Sequence, residues 1–558
     1  MNPLKTSTLL FLTLSISTAS AAIFDDASEI TGIYDLSSFE NQSDLSTVQE
    51  ESPYTNLNEQ RKHLKTKYIA VEKLISEGKY IEARIQLDNY LTKSSNDPNL
   101  YNLLGRLDSL ENKITSAQHN FNKSIMLNQN NLLAYQGLAR ISLNEQQLTE
   151  AKTSIDKMLS IDNNYFFTYI VQAEYFYQKN DLLQTEQSLL TAYQKVKGNV
   201  AVQVKVLSIL GKFYTSQDKH FKTLQLAKEL YTNNDNNVLA LSFYATNLIA
   251  NKEFNRAETL LIKIIQLNKT DISHRVLLAK LLTEQPDKTT EAIQLFDEAY
   301  SINKNNLNIL VLKASFLTQL KEYSQALNTA DQLINAAPSS AIGYQLKGDI
   351  YKAAGNNSMA IKMYESAIQK NPATSAVFSL ADLFAKEKQF SKAINLLRLQ
   401  LGKNNNDSVV FFKLAIVYEK KGDFAQAESY YKKVLRISST HVPSLNNLAL
   451  LFIQQNNSEA LKLSEKAFKQ AGHSAAIADT YGYALVLFGE PKVGLQILED
   501  AVKQSPKVLA IQLHLAIAHS KLDHNDLAVQ LLEKITLENQ DYPEKENAIA
   551  LLRQLKKQ

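Results

Sequence analysis

Residues 341–373 of the chain read AIGYQLKGDIYKAAGNNSMAIKMYESAIQKNPA. Small and aromatic side chains recur there at helical spacing on two successive faces: Tyr344, Gly348 and Tyr351 on the first, and Ala360, Tyr364 and Ala367 on the second. Polar residues 356–358 separate the two faces, and Pro372 ends the second. The small residues allow the two helices to approach closely. Such a hairpin is apolar on both outer faces and must stack on copies of itself.

Copies of this unit follow one another along the chain. The alanine that marks the second helix recurs at Ala83, Ala117, Ala151, Ala257, Ala292, Ala326, Ala360, Ala393, Ala427, Ala460 and Ala528. Weaker units carry Thr185, Thr223 or Gly494 in that place. The pattern predicts an all-α fold with about fourteen hairpins between residues 64 and 542. It also predicts one elongated domain, because each repeat contacts only its neighbours.

The repeating unit resembles the tetratricopeptide repeat (TPR), a helical hairpin of similar length. The resemblance implies an α-solenoid whose hairpins form a right-handed superhelix. Residues 543–558 follow the last hairpin and predict a capping helix, with an apolar face formed by Ala548, Leu551, Leu552 and Leu555. A terminal helix with one polar face is what a soluble repeat array requires at its end.

The first 21 residues have the features of a cleaved secretory signal peptide. Lys5 precedes an apolar run over residues 9–16, and residues 19–21 (Ala-Ser-Ala) supply the small side chains that signal peptidase reads. An uncleaved membrane anchor is the alternative, but the run is shorter than the ~20 apolar residues that cross a bilayer. The protein is therefore predicted to be exported and to have no stable transmembrane span. Because the chain contains no cysteine, it is not expected to be a lipoprotein.

Residues 22–63 form an acidic segment with no helical periodicity through most of its length. It is rich in Asp, Glu, Ser and Asn, and such a composition predicts a disordered linker. An alternative is an arm that docks on a partner or in the protein's own groove. In that case its anchors would be Phe24, Ile33, Tyr34 and Phe39.

Composition and motifs argue against several functional classes. The formal net charge of +3 is too small to predict binding to nucleic acid or to an anionic membrane. Without cysteine there is no thiolate nucleophile or zinc–thiolate site, and no glycine-rich phosphate loop follows a strand. His514, His519 and His524 are five residues apart, which on one continuous helix would turn each side chain about 140° from the last. They are therefore predicted not to share a metal ion, and we expect no cofactor and no enzymatic activity.

The first helices of stacked hairpins would line a groove, exposing the second, fifth, ninth and twelfth positions of each unit. A partner-binding surface is predicted there at Arg106, Arg140, Lys212, Lys280, Asp349, Asp382, Glu419 and Tyr483. The ninth-position column changes from mainly basic through acidic to apolar along the chain. One extended protein partner, with its acidic part toward the N-terminal units, would match this order. In the alternative interpretation, the order is random and several of these side chains pair with neighbouring units.

The last third of the chain carries a second resemblance. Residues 445–555 include Asp479-Thr480, Gly482, Gly494, Pro506 and His514-Leu515-Ala516. This region resembles the end of the TPR protein of the PEP-CTERM/exosortase system, a Gram-negative envelope system associated with exopolysaccharide production and protein sorting. It departs from that family in having Tyr483 where Trp is usual and in lacking the lipoprotein cysteine. The resemblance implies a periplasmic or outer-membrane-associated scaffold.

Three functional classes follow, in order of preference. The first is a scaffold that binds protein partners in exopolysaccharide biosynthesis or export, or in protein sorting. The second is a module that contacts glycan or peptidoglycan directly, for which Phe378, Phe412 and Tyr483 are the nearest aromatic candidates. The third is an enzyme.

Overall fold

A computed structural model describes residues 67–93, 96–372, 375–402, 406–537 and 544–557. The predicted signal peptide (1–21) and acidic segment (22–63) lie outside these residues. The described residues form 29 α-helices and one 3₁₀ turn, Pro286–Lys288, and they contain no strand. The predicted all-α class is therefore confirmed. The chain divides into two compact units, between Ile302 and Asn303.

The helices of the first unit are α1 Ile69–Ser76, α2 Tyr80–Lys93, α3 Pro98–Leu110, α4 Ile114–Leu127, α5 Leu132–Asn144, α6 Leu148–Ile161, α7 Phe166–Gln178, α8 Leu182–Lys195, α9 Val200–Ser216, α10 His220–Asn233, α11 Val238–Ala250, α12 Phe254–Leu267, α13 Ile272–Leu282 and α14 Thr289–Ile302.

The helices of the second unit are α15 Asn308–Gln319, α16 Tyr323–Ala336, α17 Ala341–Ala353, α18 Asn357–Lys370, α19 Ala376–Lys386, α20 Phe390–Leu401, α21 Ser408–Lys421, α22 Phe424–Ile437, α23 Val442–Gln454, α24 Glu459–Ala471, α25 Ala475–Phe488, α26 Pro491–Gln504, α27 Leu509–Lys521, α28 Asn525–Leu537 and α29 Lys545–Leu555.

Each odd-numbered helix up to α27 pairs with the even-numbered helix that follows it. The described residues thus contain fourteen hairpins, seven in each unit, followed by α29. Within a unit, the second helix of a hairpin also packs on the first helix of the next. Several first helices contact each other directly, for example α3 with α5 and α25 with α27. The marker alanines, such as Ala83 and Ala360, are fully buried, as the sequence predicts for helices in close contact.

Glycines on the first helices make room for large side chains or for backbone. The ring of Phe121 on α4 lies against both Gly105 and Gly137, which belong to consecutive hairpins. A side chain at Gly348 would meet the ring of Tyr364, at 2.7 Å from its added Cβ. Aromatic rings from the second helix therefore fill the space beside these glycines.

The turns between hairpins differ from those inside hairpins. Asn131 and Asn237, which lie between hairpins, cap α5 and α11 by accepting hydrogen bonds from backbone N–H groups. The left-handed conformation occurs at turns inside hairpins, for example at Asn112, Asn180 and Asn456. The tight turn inside a hairpin requires this positive φ.

No helix in the described ranges is both long and apolar enough to span a bilayer. Within the same ranges, no three His, Asp or Glu side chains are grouped in a way that would hold a metal ion.

Candidate functional site

In the first unit, the four basic residues of the predicted groove have different surroundings. The guanidinium of Arg106 on α3 donates to Glu72 on α1 at 2.7 Å, an ion pair between the first helices of neighbouring hairpins. Lys212 on α9 also has an interaction partner. Arg140 on α5 and Lys280 on α13 form no hydrogen bond or ion pair through their side chains with the described residues. Lys280 is exposed and Arg140 is half-buried.

In the second unit, the three acidic residues of the predicted groove accept hydrogen bonds from other parts of the protein. Asp349 accepts one from the Tyr364 hydroxyl at 2.7 Å, and Glu419 accepts one from the Tyr431 hydroxyl at 2.6 Å, each within one hairpin. Burial, together with the adjacent carboxylate, raises the pKa of both tyrosines.

Asp382 on α19 instead accepts from Lys413 Nζ at 2.7 Å, on the next first helix. Arg106 and Asp382 thus each form an ion pair with a neighbouring hairpin, as the alternative interpretation of the groove expects. Their role in partner binding stays a prediction.

Two first helices expose apolar side chains at the second position of the hairpin, which the comparison of ninth positions does not include. Ile342 on α17 is 58% exposed and Val409 on α21 is 53% exposed. Among the described first helices of the second unit, these are the large apolar residues that solvent reaches most. Each occupies the second position of its hairpin, and Phe378 and Phe412 are half-buried at the fifth position of theirs. We call these four residues the apolar first-helix patch.

The ring of Phe412 is already packed against protein. It lies 6.0 Å from the ring of Tyr431 and 5.1 Å, edge-on, from that of His441, measured between centroids. Burial of the imidazole lowers the pKa of His441, which favours its neutral form beside the ring. Val409 and Ile342 are therefore the members of the patch that a partner can reach directly.

Tyr483, the last predicted groove residue, belongs to a buried polar cluster. Its ring stacks on the imidazole of His514, with centroids 3.9 Å apart and planes 11° from parallel. His514, which is only 4% exposed, donates from Nδ1 to both carboxylate oxygens of Asp479 at 2.9 and 3.0 Å. Its Nε2 lies 3.2 Å from the carboxylate of Glu544, directly before α29. The cluster therefore joins α25, α27 and the start of α29.

The charge of His514 follows from these contacts. Burial alone would lower the pKa of the imidazole, but Asp479 and Glu544 outweigh it and raise the pKa of His514 to about 9. In turn, the contact with His514 lowers the pKa of Glu544. Burial raises the pKa of Tyr483 to about 12, and the two carboxylates add to this shift. An imidazolium therefore lies between two carboxylates at neutral pH.

The structure corrects the argument from histidine spacing. Helix α27 ends at Lys521, so His524 lies beyond it and is not rotated as on a continuous helix. Its Nδ1 comes within 3.4 Å of His519 Nδ1. The rotation argument was therefore wrong for this pair, because it assumed that the helix continued.

Comparison with known proteins identifies the repeat. Tetratricopeptide-repeat family models match residues 285–350, 346–407, 409–441 and 485–555. The chain contains tetratricopeptide repeats. These matches lie mostly in the second unit, where the hairpins agree best with the repeat pattern of the sequence.

The curated relatives are distant. The anaphase-promoting complex subunit 7 of Arabidopsis thaliana is 29% identical over 32% of this chain and 31% of its own length. A TPR repeat-containing protein of Methanocaldococcus jannaschii is 23% identical over 44% of this chain and 39% of its own. The chain thus spans about a third of the length of the curated relatives it matches.

Among solved structures, the APC/C hetero-tetramer Cut9–Hcn1 aligns with 85% of this chain and 98% of its own. The sequences are 15% identical and the TM-score is 0.38, a likeness too distant to support an argument about function.

Proposed function

We propose that the protein is a non-catalytic scaffold that binds protein partners through the first helices of its tetratricopeptide repeats. The observation that carries the proposal is the apolar first-helix patch. Ile342 and Val409 expose large apolar side chains on rigid helices, whereas the carboxylates Asp349, Asp382 and Glu419 are engaged within the protein. Preformed apolar contacts on packed helices reduce the ordering cost of binding.

The partner chemistry follows from this surface. An extended or helical protein segment that places apolar side chains at Ile342 and Val409 would bury both residues. Acidic groups of the partner would then meet Lys352, which is exposed on α17. In the first unit, Arg140 and Lys280 make no polar side-chain contact among the described residues, which favours acidic groups of a partner at those two positions.

The proposed setting is the envelope of a Gram-negative bacterium. It rests on the signal-peptide pattern of residues 1–21 and on the resemblance of residues 445–555 to the PEP-CTERM/exosortase TPR protein. Exopolysaccharide biosynthesis or export, or PEP-CTERM protein sorting, is the process in which such a scaffold would act. The mature chain would begin at Ala22, in the periplasm or at the outer membrane.

Direct glycan contact is the second candidate, and the aromatic rings favour it less. A sugar-binding platform needs an accessible aromatic face. One face of Tyr483 is stacked on His514, and the ring of Phe412 packs against the rings of His441 and Tyr431. Phe378 is half-buried in the same core region.

Site-specific photo-crosslinking tests the scaffold. We expect p-benzoylphenylalanine at Val409 to give discrete protein adducts in the native host, with partners that mass spectrometry can name. The matched control is the same probe at Ser429, exposed on the second helix of the same hairpin. Adducts with glycan alone at Val409, or identical protein adducts at both positions, would contradict the proposal.

A further inference from the structure

The turn inside the last hairpin brings two imidazole rings together. Nδ1 of His519, near the end of α27, lies 3.4 Å from Nδ1 of His524, directly before α28. The ring centroids are 5.6 Å apart, so the two nitrogens lie on the facing edges of the rings. His519 is only 8% exposed, whereas His524 is exposed. The pair is therefore held by the packed hairpin on one side and open to solvent on the other.

The backbone of the turn fixes this arrangement. The N–H of His524 donates to the carbonyl of His519 at 2.9 Å, and Asp523 has a φ of 60°. This hydrogen-bonding pattern ends a helix and brings the side chains of the two bonded residues toward each other. Other hairpins of the described chain have the same bond without a histidine at either position, for example Phe176–Asp181, Leu248–Glu253 and Tyr418–Asp423. The two histidines are therefore not needed to form the turn.

The distance between the two nitrogens is long for a hydrogen bond and matches that between two ligands of one metal ion. Hydrogen bonds donated by N–H groups in proteins are about 2.7–3.2 Å long. Zn²⁺ binds imidazole nitrogen at about 2.0–2.1 Å with tetrahedral geometry, which places two ligand nitrogens about 3.3–3.4 Å apart. At the right angles of a square-planar or octahedral ion they would be about 2.9 Å apart. Among the ions that imidazole binds, the spacing therefore fits zinc best.

A nearby carboxylate favours a cation at this place. Glu499, half-buried on α26, interacts electrostatically with the imidazole of His519. Carboxylates close to metal-bound histidines commonly support the metal site. Because no third His, Asp or Glu of the described chain completes a group around one ion, water from the exposed side would supply the remaining ligands.

We propose that His519 and His524 bind one Zn²⁺ ion through their Nδ1 atoms, with water completing a tetrahedral site at the surface. This goes against the expectation drawn from the spacing of the histidines in the sequence. The two ligands act as a chelate, because the turn holds the second imidazole at high effective concentration once the first has bound. The ion would join the end of α27 to the start of α28 and so stabilise the turn of the last hairpin.

Zinc binding by the full-length protein, measured by equilibrium dialysis, tests the site. We expect the unaltered protein to bind one Zn²⁺ ion per chain at this site. The affinity should fall about a hundredfold or more in His524→Gln, because one of two chelating ligands is lost. His524 is exposed, so this substitution leaves the core of the hairpin unchanged. X-ray absorption of the zinc-loaded protein should show two imidazoles at about 2.0 Å in a four-coordinate shell.

The matched control is His473→Gln, which removes an exposed histidine between α24 and α25 and should keep the affinity of the unaltered protein. Zinc should also slow amide exchange at residues 519–525 in this control but not in His524→Gln. Equal zinc affinity in the two variants, or a zinc shell without imidazole, would overturn the proposal and leave only a contact between two imidazoles. One ion per two chains would overturn it too, since zinc would then bridge two copies of the protein.

Discussion

Replacing His514 with glutamine is expected to destabilise the C-terminal end of the second unit by about 3–5 kcal/mol, because two carboxylates lose the cation between them. Asp479 is buried and would lose the 2.9 Å hydrogen bond from an imidazolium. Glu544 would lose its 3.2 Å ion pair at the start of α29. Glutamine keeps a polar side chain of similar reach but carries no charge.

The effect should be greatest at α29. In this helix only Ala548 and Leu555 are buried, and Leu551 and Leu552 pack partly against the last hairpin. We expect its amide protection to collapse in His514→Gln, while protection in α15–α18 is retained. The matched control is His473→Gln, an exposed histidine that makes no such contact. Equal α29 protection in the two variants would show that the cluster does not fasten this helix.

The same cluster predicts a pH dependence with a definite sign. The pKa of His514 is raised to about 9 in the folded protein, against about 6.5 for an unfolded histidine. Its contribution to stability is therefore complete below about pH 6.5 and is lost as the pH rises through about 9. Protection of α29, corrected for intrinsic exchange rates, should fall over this interval in the unaltered protein. In His514→Gln it should be low and nearly independent of pH there.

Replacing Gly494 with leucine is the second large effect that we expect, because backbone approaches backbone at this point. A Cβ added to Gly494 on α26 would lie 2.6 Å from the carbonyl oxygen of Gly482 on α25. It would also lie 2.9 Å from a methyl group of Val486. A rotamer change cannot relieve a contact with a carbonyl oxygen, so the helices must separate. The expected cost is about 3 kcal/mol or more, well above the ~1 kcal/mol gained in helix propensity.

Urea unfolding of the full chain, followed by exchange in α25 and α26, measures this cost. Gly402→Leu is the matched control, since Gly402 is exposed at the end of α20 and has only ordinary contacts around it, the nearest at 3.5 Å. Unfolding of Gly494→Leu at the same urea concentration as Gly402→Leu would mean that α25 and α26 are not in backbone contact.

Much of the fold is predictable from local pattern alone. The alanines that recur along the chain gave the number of hairpins, because a small residue is needed wherever two helices come close. Gly482 and Gly494 were visible in the sequence as a pair, although Gly494 was interpreted as a weak repeat. The structure makes it a point of close approach, since glycine allows nearer packing than alanine.

The groove was harder to predict, because a repeat position does not fix what a side chain touches. Arg106, whose role in partner binding stays a prediction, pairs with Glu72, its counterpart in the preceding hairpin. Opposite charges one repeat apart in the same column were the signal for this pair. The exposure of Val409 had no comparable signal, since it depends on how far neighbouring first helices cover that position. The His514 cluster could not be predicted from the sequence, because it depends on the three-dimensional contact between α27 and the residue before α29.

The central claim is that each hairpin is stabilised by contacts with its neighbouring hairpins alone. Deleting residues 341–374, which are one whole hairpin with its following loop, tests it most directly. We predict a folded protein that loses only the helical signal of one hairpin and unfolds cooperatively in urea, because α19 can take the place of α17 against α16. Deleting residues 341–356 alone, which removes the first helix and leaves its partner, should unfold the surrounding hairpins. The account would be contradicted if the whole-hairpin deletion abolished cooperative unfolding as completely as the half-hairpin deletion does.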